Sequence, residues 1–197
     1  MAIEVELKAR LDESESVKKR LSLLGTFLHS YEKHDSYWVL EAGGGFTARI
    51  RREKTIQDGV ASEVILVTNK VKEIKDGIEI NDEQEFSVSS AEAFEKFLQH
   101  TGMKLQLKKE KLGWAWHVPK TAENPVLAEL SMVKGLGWFI ELELMLEDRD
   151  NETIEACRKR LLSLLAELDI APEKIEPRTY SKMLAELAEG GARGLKK

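Results

Sequence analysis

The stretch Ala2-Ile3-Glu4-Val5-Glu6-Leu7-Lys8-Ala9-Arg10 has the strict alternation of a β-strand with two different faces. Because successive side chains of a strand point to opposite sides, Ile3, Val5 and Leu7 share one face. The other face carries the charged residues Glu4, Glu6, Lys8 and Arg10. Carboxylates at positions i and i+2 lie side by side, so Glu4 and Glu6 are able to share one hard cation through oxygen ligands.

Other predicted strands repeat this one-sided arrangement of charge. Alternating segments separated by turn signals predict about eight strands, and apolar residues at helical spacing predict about three helices. This order of elements is typical of an antiparallel α+β protein. The charged faces after the first strand are Arg49/Arg51/Glu53, Glu79/Asn81/Glu83/Glu85, Lys109/Lys111 and Glu141/Glu143.

The pattern leaves two arrangements open for these charged faces. An open sheet would cover its apolar face with the helices and show its charged face to water. A sheet closed into a barrel would enclose the charges, and a barrel of about eight strands has room for one small ligand. Enclosed acids and bases must pair with each other or bind a charged ligand and a metal. Arg and Lys suit phosphate oxygens, and clustered Glu suit Mg²⁺ or Mn²⁺.

Length and composition predict a single cytoplasmic domain. The chain has 197 residues, of which 42% are hydrophobic and 33% charged, with a net charge of −5 that does not suit a nucleic-acid partner. Cys157 is the single cysteine, so no intrachain disulfide forms, as expected in a reducing cytosol. No apolar run approaches the ~20 residues of a membrane span, so we expect no membrane association. The domain is expected to cover residues 1–188, followed by a flexible tail over 189–197.

An ordered set of motifs resembles the CYTH superfamily, the triphosphate tunnel metalloenzymes. Glu4-x-Glu6-x-Lys8 is similar to the ExExK signature of that family. The other matching segments are Asp35-x-Tyr37, Arg49-x-Arg51-x-Glu53, Lys70, Glu83-x-Glu85, Lys109-x-Lys111, the Gly135–Glu143 strand and Glu176-Pro177-Arg178-Thr179-Tyr180. The last two of these resemble the class IV adenylyl cyclase branch most.

The resemblance implies a closed eight-stranded antiparallel tunnel with a charged interior and helices outside. By position it implies Mg²⁺ or Mn²⁺ at Glu4, Glu6 and Glu141, with Glu143 close by, and a catalytic set of Glu4, Glu6, Lys8 and Glu141. It implies phosphate binding by Lys8, Arg49, Arg51, Lys70, Lys109, Lys111 and Arg178. It gives supporting places to Glu53, Glu83, Glu85, Glu129, Ser131 and Tyr180.

Two positions depart from the family pattern. The family has Asp ten residues before the first Glu of the last acidic pair, where this chain has Ser131. Glu129 lies two residues earlier on the same strand face and is the candidate substitute. The basic pair Lys109-x-Lys111 replaces the common Lys-x-Arg, and lysine lacks the bidentate fork of arginine.

The implied activity is therefore metal-dependent chemistry on a small-molecule triphosphate. The first expectation is an adenylyl cyclase-like conversion of ATP to cyclic AMP and pyrophosphate. The alternatives are an inorganic, thiamine or nucleoside triphosphatase, a non-catalytic triphosphate or polyphosphate binder, and a charged sheet without a ligand. A homodimer is expected by analogy with cyclase-like relatives.

Overall fold

The computed structural model describes residues 3–40, 47–75, 77–120, 122–146 and 150–194, without the side chains of 70–72, 75, 82 and 190–194. Within this part the chain forms eight strands, four α-helices and one 3-10 helix, Pro172–Lys174. The strands are β1 (Ile3–Leu11), β2 (Thr26–Leu40), β3 (Thr47–Gln57), β4 (Val60–Lys75), β5 (Ile78–Ser87), β6 (Met103–Val118), β7 (Val126–Val133) and β8 (Gly137–Leu146). The helices are α1 (Glu15–Leu24), α2 (Ala91–His100), α3 (Asn151–Glu167) and α4 (Tyr180–Gly194). The predicted antiparallel α+β class is confirmed.

The described strands form one antiparallel sheet in the order β1-β5-β4-β3-β2-β6-β7-β8. β8 pairs with β1 in a register that runs from Ile3 opposite Leu146 to Leu11 opposite Trp138. β1 pairs with β5 on its other side, where Glu4 lies opposite Asn81. Because the first and last strands of this order are paired, the sheet closes into a barrel.

The apolar faces of the strands point outward and are covered by the helices. Val5 and Leu7 of β1 are fully buried in one cluster with Leu21 of α1 and Leu161 of α3. On another side of the barrel, Leu98 of α2 belongs to a second cluster with strand residues such as Ile50. Since the apolar side of β1 lies outside, alternation sends Glu4, Glu6 and Lys8 into the interior. All three of these charged side chains are buried.

α4 is longer than the sequence predicts. We expect a short helix over Tyr180–Leu187, yet the helix continues to Gly194 although it contains glycines at 190 and 191, which disfavour helix. Residues 189–194 of the predicted tail are therefore helical, and residues 195–197 lie outside the described part. None of the described helices is long and apolar enough to cross a membrane.

Candidate functional site

Three carboxylates from two neighbouring strands meet in the barrel interior. Glu4 and Glu6 lie on β1 and Glu143 lies on β8, directly opposite Glu6. One carboxylate oxygen from each residue lies within 4.8 Å of those from the other two. Oxygens bound to one Mg²⁺ ion at about 2.1 Å are separated by at most about 4.2 Å. This carboxylate trio (Glu4, Glu6 and Glu143) therefore fits a small hard cation after a slight approach of its oxygens.

The electrostatics of the carboxylate trio also favour a cation. Burial, followed by the negative charge of Glu4, raises the pKa of Glu143 well above its ordinary value. Glu129, Glu6 and Glu141 act in the same direction. The direction of this shift reflects that a further negative charge is unfavourable at this position. A divalent cation would relieve the same repulsion and would allow all three carboxyls to ionise.

Glu141, which the resemblance places at the metal, instead contacts a lysine. The Nζ of Lys111 contacts the Glu141 carboxylate and lies 2.9 Å from Oε2 of Glu129. Glu129 and Glu141 are opposite each other in the β7–β8 register. Burial lowers the pKa of Lys111, but attraction to Glu129 and Glu141 outweighs it, so the pKa is raised well above its ordinary value. Lys111 is therefore charged and held between two carboxylates.

A second lysine at Glu129 was not among the predicted site residues. The Nζ of Lys33 lies 2.5 Å from Oε1 of Glu129 and 3.8 Å from the predicted supporting residue Glu53. The hydroxyl of Tyr31 donates to Oε2 of Glu129 at 3.2 Å. Burial raises the pKa of Glu129, but Lys111 and Lys33 more than reverse this and hold it well below its ordinary value. Glu129 is thus an ionised counter-ion in the tunnel wall.

Asp35 organises the basic residues on the adjoining wall. The guanidinium of Arg51 donates to Asp35 through Nε at 2.8 Å and through Nη2 at 3.0 Å. The Nζ of Lys109 lies 3.0 Å from the same carboxylate. Because Asp35 lies opposite both Arg51 and Lys109 in the strand registers, the three side chains converge from β2, β3 and β6. Two of the predicted phosphate-binding residues are therefore brought together.

Arg49 lies in a separate group with β4 and β5. Its Nη2 donates to the hydroxyl of Thr68 at 2.9 Å and to Oε1 of Glu83 at 3.1 Å. Glu85 lies 3.6 Å from the same nitrogen. The predicted supporting residues Glu83 and Glu85 therefore orient a basic residue. Lys70 lies on β4 with its backbone opposite Glu83, but its side chain is outside the described part.

Inside the barrel, three lysines surround the ring of Tyr180. The ring centroid of Tyr180 lies 4.8 Å from Nζ of Lys8, 4.9 Å from that of Lys109 and 5.8 Å from that of Lys111. Tyr180 also packs edge-on against Phe139 of β8, with ring centroids 5.0 Å apart. Cation–π attraction to one aromatic ring helps to hold three like charges close together.

Lys8 has a partner that was missing from the predicted set. Its Nζ donates to Oε1 of Glu79 on β5 at 3.3 Å, and both side chains are buried. Glu79, Glu83 and Glu85 are separated by even numbers of residues along β5 and therefore have the same strand parity, which means that they lie on the same face. The inward direction of Glu79 could thus have been predicted from the sequence.

Two predicted site residues, Arg178 and Ser131, have surroundings different from those of the lysines and arginines described above. The guanidinium of Arg178 is 44% exposed and pairs with Glu176 at 2.5 Å and with Glu186 at 2.9 Å. Arg178 is therefore paired with acidic side chains in a partly exposed position and is not grouped with the lysines that are predicted to bind phosphate. Ser131 is fully buried on β7, opposite Phe139. Of the two candidates on β7, Glu129 supplies the interior carboxylate.

A closed barrel of eight strands has room for one small ligand, and the interior of this barrel holds carboxylates and cations together. The particular family follows from the sequence: a model of the CYTH domain matches residues 2–180, and the chain belongs to this family. No curated protein matches the chain significantly.

Solved structures with low sequence identity share the fold. A protein from Pyrococcus horikoshii matches with a TM-score of 0.79 at 24% identity, covering 93% of this chain and 98% of that one. A candidate adenylate cyclase from Vibrio parahaemolyticus has a TM-score of 0.70 at 17% identity, over 93% of this chain and 98% of its own. A candidate adenylyl cyclase from Hippeastrum, described as having a dominant triphosphatase activity, has a TM-score of 0.63 at 15% identity and 96% coverage of both chains.

Proposed function

We propose that the protein is a divalent-cation-dependent enzyme that acts on a triphosphate inside its barrel. The observation that carries this proposal is the presence, in one closed interior, of a three-carboxylate group together with buried lysines and partly buried arginines. Phosphoryl chemistry requires mainly positioning and neutralisation of phosphate charge. The carboxylates would hold a cation that neutralises phosphate charge, and the cationic side chains would position the phosphate oxygens.

The carboxylates Glu4, Glu6 and Glu143 would hold Mg²⁺ or Mn²⁺. When bound, the cation would neutralise phosphate charge and polarise the phosphorus–oxygen bonds. Glu141 is a less direct candidate ligand than the resemblance implies, because its carboxylate contacts Lys111. Its role in the proposed site is to orient that lysine.

The basic residues would bind the phosphate oxygens. Lys8, Lys109 and Lys111 surround the Tyr180 ring, and Arg51 shares the Asp35 carboxylate with Lys109. Arg51 and Lys109 are paired with Asp35. Lys111 is paired with Glu129 and Glu141, and Lys8 is paired with Glu79. Phosphate oxygens would therefore replace or share carboxylate partners that already hold the cations in place. Arg49 and Lys70 complete the proposed phosphate-binding set.

Two reactions suit this arrangement. In an adenylyl cyclase-like reaction the ribose 3′-oxygen attacks the α-phosphorus of ATP, and pyrophosphate leaves as cyclic AMP forms. This is the first candidate because the C-terminal segments resemble the cyclase branch. In a triphosphatase reaction water attacks the terminal phosphorus, and the bond from that phosphorus to the bridging oxygen breaks. The diphosphate part of the substrate leaves, and the attacked phosphorus is released as orthophosphate. The surface position of Arg178, part of the cyclase-like ending, favours this second candidate.

The first experiment separates these reactions by their products. Purified protein is incubated with ATP, tripolyphosphate and thiamine triphosphate, each with Mg²⁺, Mn²⁺ or EDTA. We expect product only with metal, and a decrease of at least about 100-fold in Glu4→Gln, because a lost ligand weakens the cation site. Glu15→Gln, an exposed change on α1, is the matched control and should keep full activity.

The products decide among the candidates. Cyclic AMP with pyrophosphate identifies the cyclase, and orthophosphate identifies the triphosphatase. Metal-dependent triphosphate binding without any product would contradict an enzymatic role and leave a binding protein. A cytoplasmic location and a homodimer remain predictions, the latter testable by light scattering during size-exclusion chromatography.

A further inference from the structure

Asn81 is a buried amide with unpaired polar atoms. Its side chain is 0% exposed, and neither Oδ1 nor Nδ2 has a hydrogen-bond partner among the side chains that the structure describes. Each such buried group lowers the stability of the folded protein. Native proteins rarely leave these groups unpaired unless a water, an ion or a ligand satisfies them.

Asn81 lies beside the carboxylate trio. It has the same strand parity as Glu79, whose carboxylate accepts from Lys8 inside the barrel. Glu4 is its direct partner in the β1–β5 register. The Cβ atoms of directly opposed residues in antiparallel strands are about 4.5–5.5 Å apart. The carboxamide of Asn81 is therefore adjacent to the first member of the carboxylate trio.

A purely structural role does not explain this residue. Asparagine is disfavoured inside strands, and a leucine of similar size would fill the same space without unpaired polar atoms. Neighbouring interior positions carry charged residues with identified partners, such as Glu79 with Lys8. An amide that has no partner among the described side chains, beside three carboxylates, therefore indicates a role that a bound ion would complete.

We propose that Asn81 is a neutral member of the cation site, an inference that rests on the proposed function. Its Oδ1 would coordinate the cation directly or accept a hydrogen bond from a water of the cation's hydration shell. Side-chain amide oxygens are established ligands of hard cations. A neutral oxygen is favourable here because the three carboxylates, whose oxygens lie within 4.8 Å of one another, already repel one another. The amide adds a ligand without adding negative charge.

The test measures Mn²⁺ binding by electron paramagnetic resonance and titration calorimetry, with no nucleotide present. Asn81→Leu should weaken Mn²⁺ affinity about 10- to 100-fold, the usual effect of losing a supporting group at a metal site. The same variant should raise the Tm of the metal-free protein, because the unpaired amide is removed. Asn69→Leu is the matched control on β4, where the amide donates to the Thr47 carbonyl, and its Mn²⁺ affinity should be unchanged.

Asn81→Asp provides a second variant that keeps an oxygen at the same place. Its Mn²⁺ affinity should equal or exceed that of the wild-type protein. If Asn81→Leu and the wild type bind Mn²⁺ equally, or if Asn81→Asp weakens binding as much as Asn81→Leu does, the role of Asn81 is wrong and the proposed function stands. If the wild-type protein itself fails to bind Mn²⁺, the proposed function is wrong and the inference falls with it.

Discussion

At the scale of single residues, Asp35 shows how the interior tolerates so much charge. Burial alone would raise the pKa of Asp35, but Lys109 and Arg51 outweigh it and hold the pKa well below its ordinary value. The carboxylate therefore remains ionised between the buried Lys109 and the partly buried Arg51. A buried charge is stable in this way only while its partners and hydrogen bonds are present.

Asp35→Asn should destabilise the ligand-free protein by about 3–5 kcal/mol, because Arg51 and Lys109 would lose their shared counter-ion. Urea unfolding at neutral pH measures this change. Asp12→Asn is the control: it weakens an exposed pair with Lys174 and should cost at most about 1 kcal/mol. Equal stability of the wild type and Asp35→Asn would contradict the role of Asp35. Tripolyphosphate should recover part of the lost stability, since its oxygens offer the two cations a new partner.

Strand parity allowed much of the site to be predicted from the sequence. Alternation correctly separates Glu4, Glu6 and Lys8 from the apolar face of β1, and the same rule applies to Glu79 and Asn81. Parity does not give the distances across a barrel. The pairing of Glu141 with Lys111, and of Lys33 with Glu129, depends on strands that are distant in sequence and on the closure of the sheet. These contacts could not be predicted from one strand at a time.

At the scale of elements, the segment before α4 joins the C-terminal part of the chain to β1. Ile175 forms a β-bridge with Ala9, and the backbone N–H of Glu176 donates to the carbonyl of Lys8 at 2.8 Å. The side chain of Glu176 accepts from Arg178 and lies 3.6 Å from Arg10. These contacts fix the start of α4, which places Tyr180 against the lysines of the tunnel.

Glu176 should make this attachment sensitive to acid. Hydrogen bonds from the Arg178 side chain are the main cause that lowers the pKa of Glu176 to about 2. Because the pKa is lowered in the folded state, ionised Glu176 stabilises the protein above pH 4.5, and this contribution is lost as the pH falls toward 2. The wild type should therefore be more stable than Glu176→Gln at pH 6, and the difference should shrink on acidification.

Urea unfolding of both proteins between pH 6 and pH 3 measures this dependence. Glu186→Gln changes the exposed partner of the same arginine. Its free energy of unfolding should differ from that of the wild type by less than that of Glu176→Gln does, at every pH. A wild-type advantage over Glu176→Gln that stays constant across this range would show that the ionised carboxylate is not its source.

Element boundaries were harder to predict than element types. Alternation predicts a strand over 35–41, whereas β2 begins at Thr26. The missed part contains Tyr31 and Lys33, which lie inside the barrel, and Phe27, which is half exposed on its outside. Neither face of this part is uniformly apolar, so the usual signal of a half-buried strand is absent. Where the outer face of a strand in such a barrel is also partly exposed, both faces carry polar residues, and the contrast on which such a prediction depends is absent.

At the scale of the whole molecule, closure of the sheet gives the charged faces a common interior. The helices cover apolar strand faces on the outside, as the clusters around Leu161 and Leu98 show. The interior then combines a carboxylate trio that favours a cation with lysines and arginines that favour an anion. A metal–triphosphate complex contains both a cation and an anion. It therefore matches both groups of side chains, and the fold and the charges support the same proposal.

The most direct measurement of this central claim is calorimetric titration of tripolyphosphate into the protein with Mg²⁺ or with EDTA. We predict tight binding that requires the metal, and a loss of at least about 100-fold in affinity when Glu4→Gln and Glu6→Gln are combined. The paired control, Glu13→Gln with Glu15→Gln, changes two exposed carboxylates and should bind as the wild type does. Equal affinity with Mg²⁺ and with EDTA, or no binding of tripolyphosphate at all, would contradict the account.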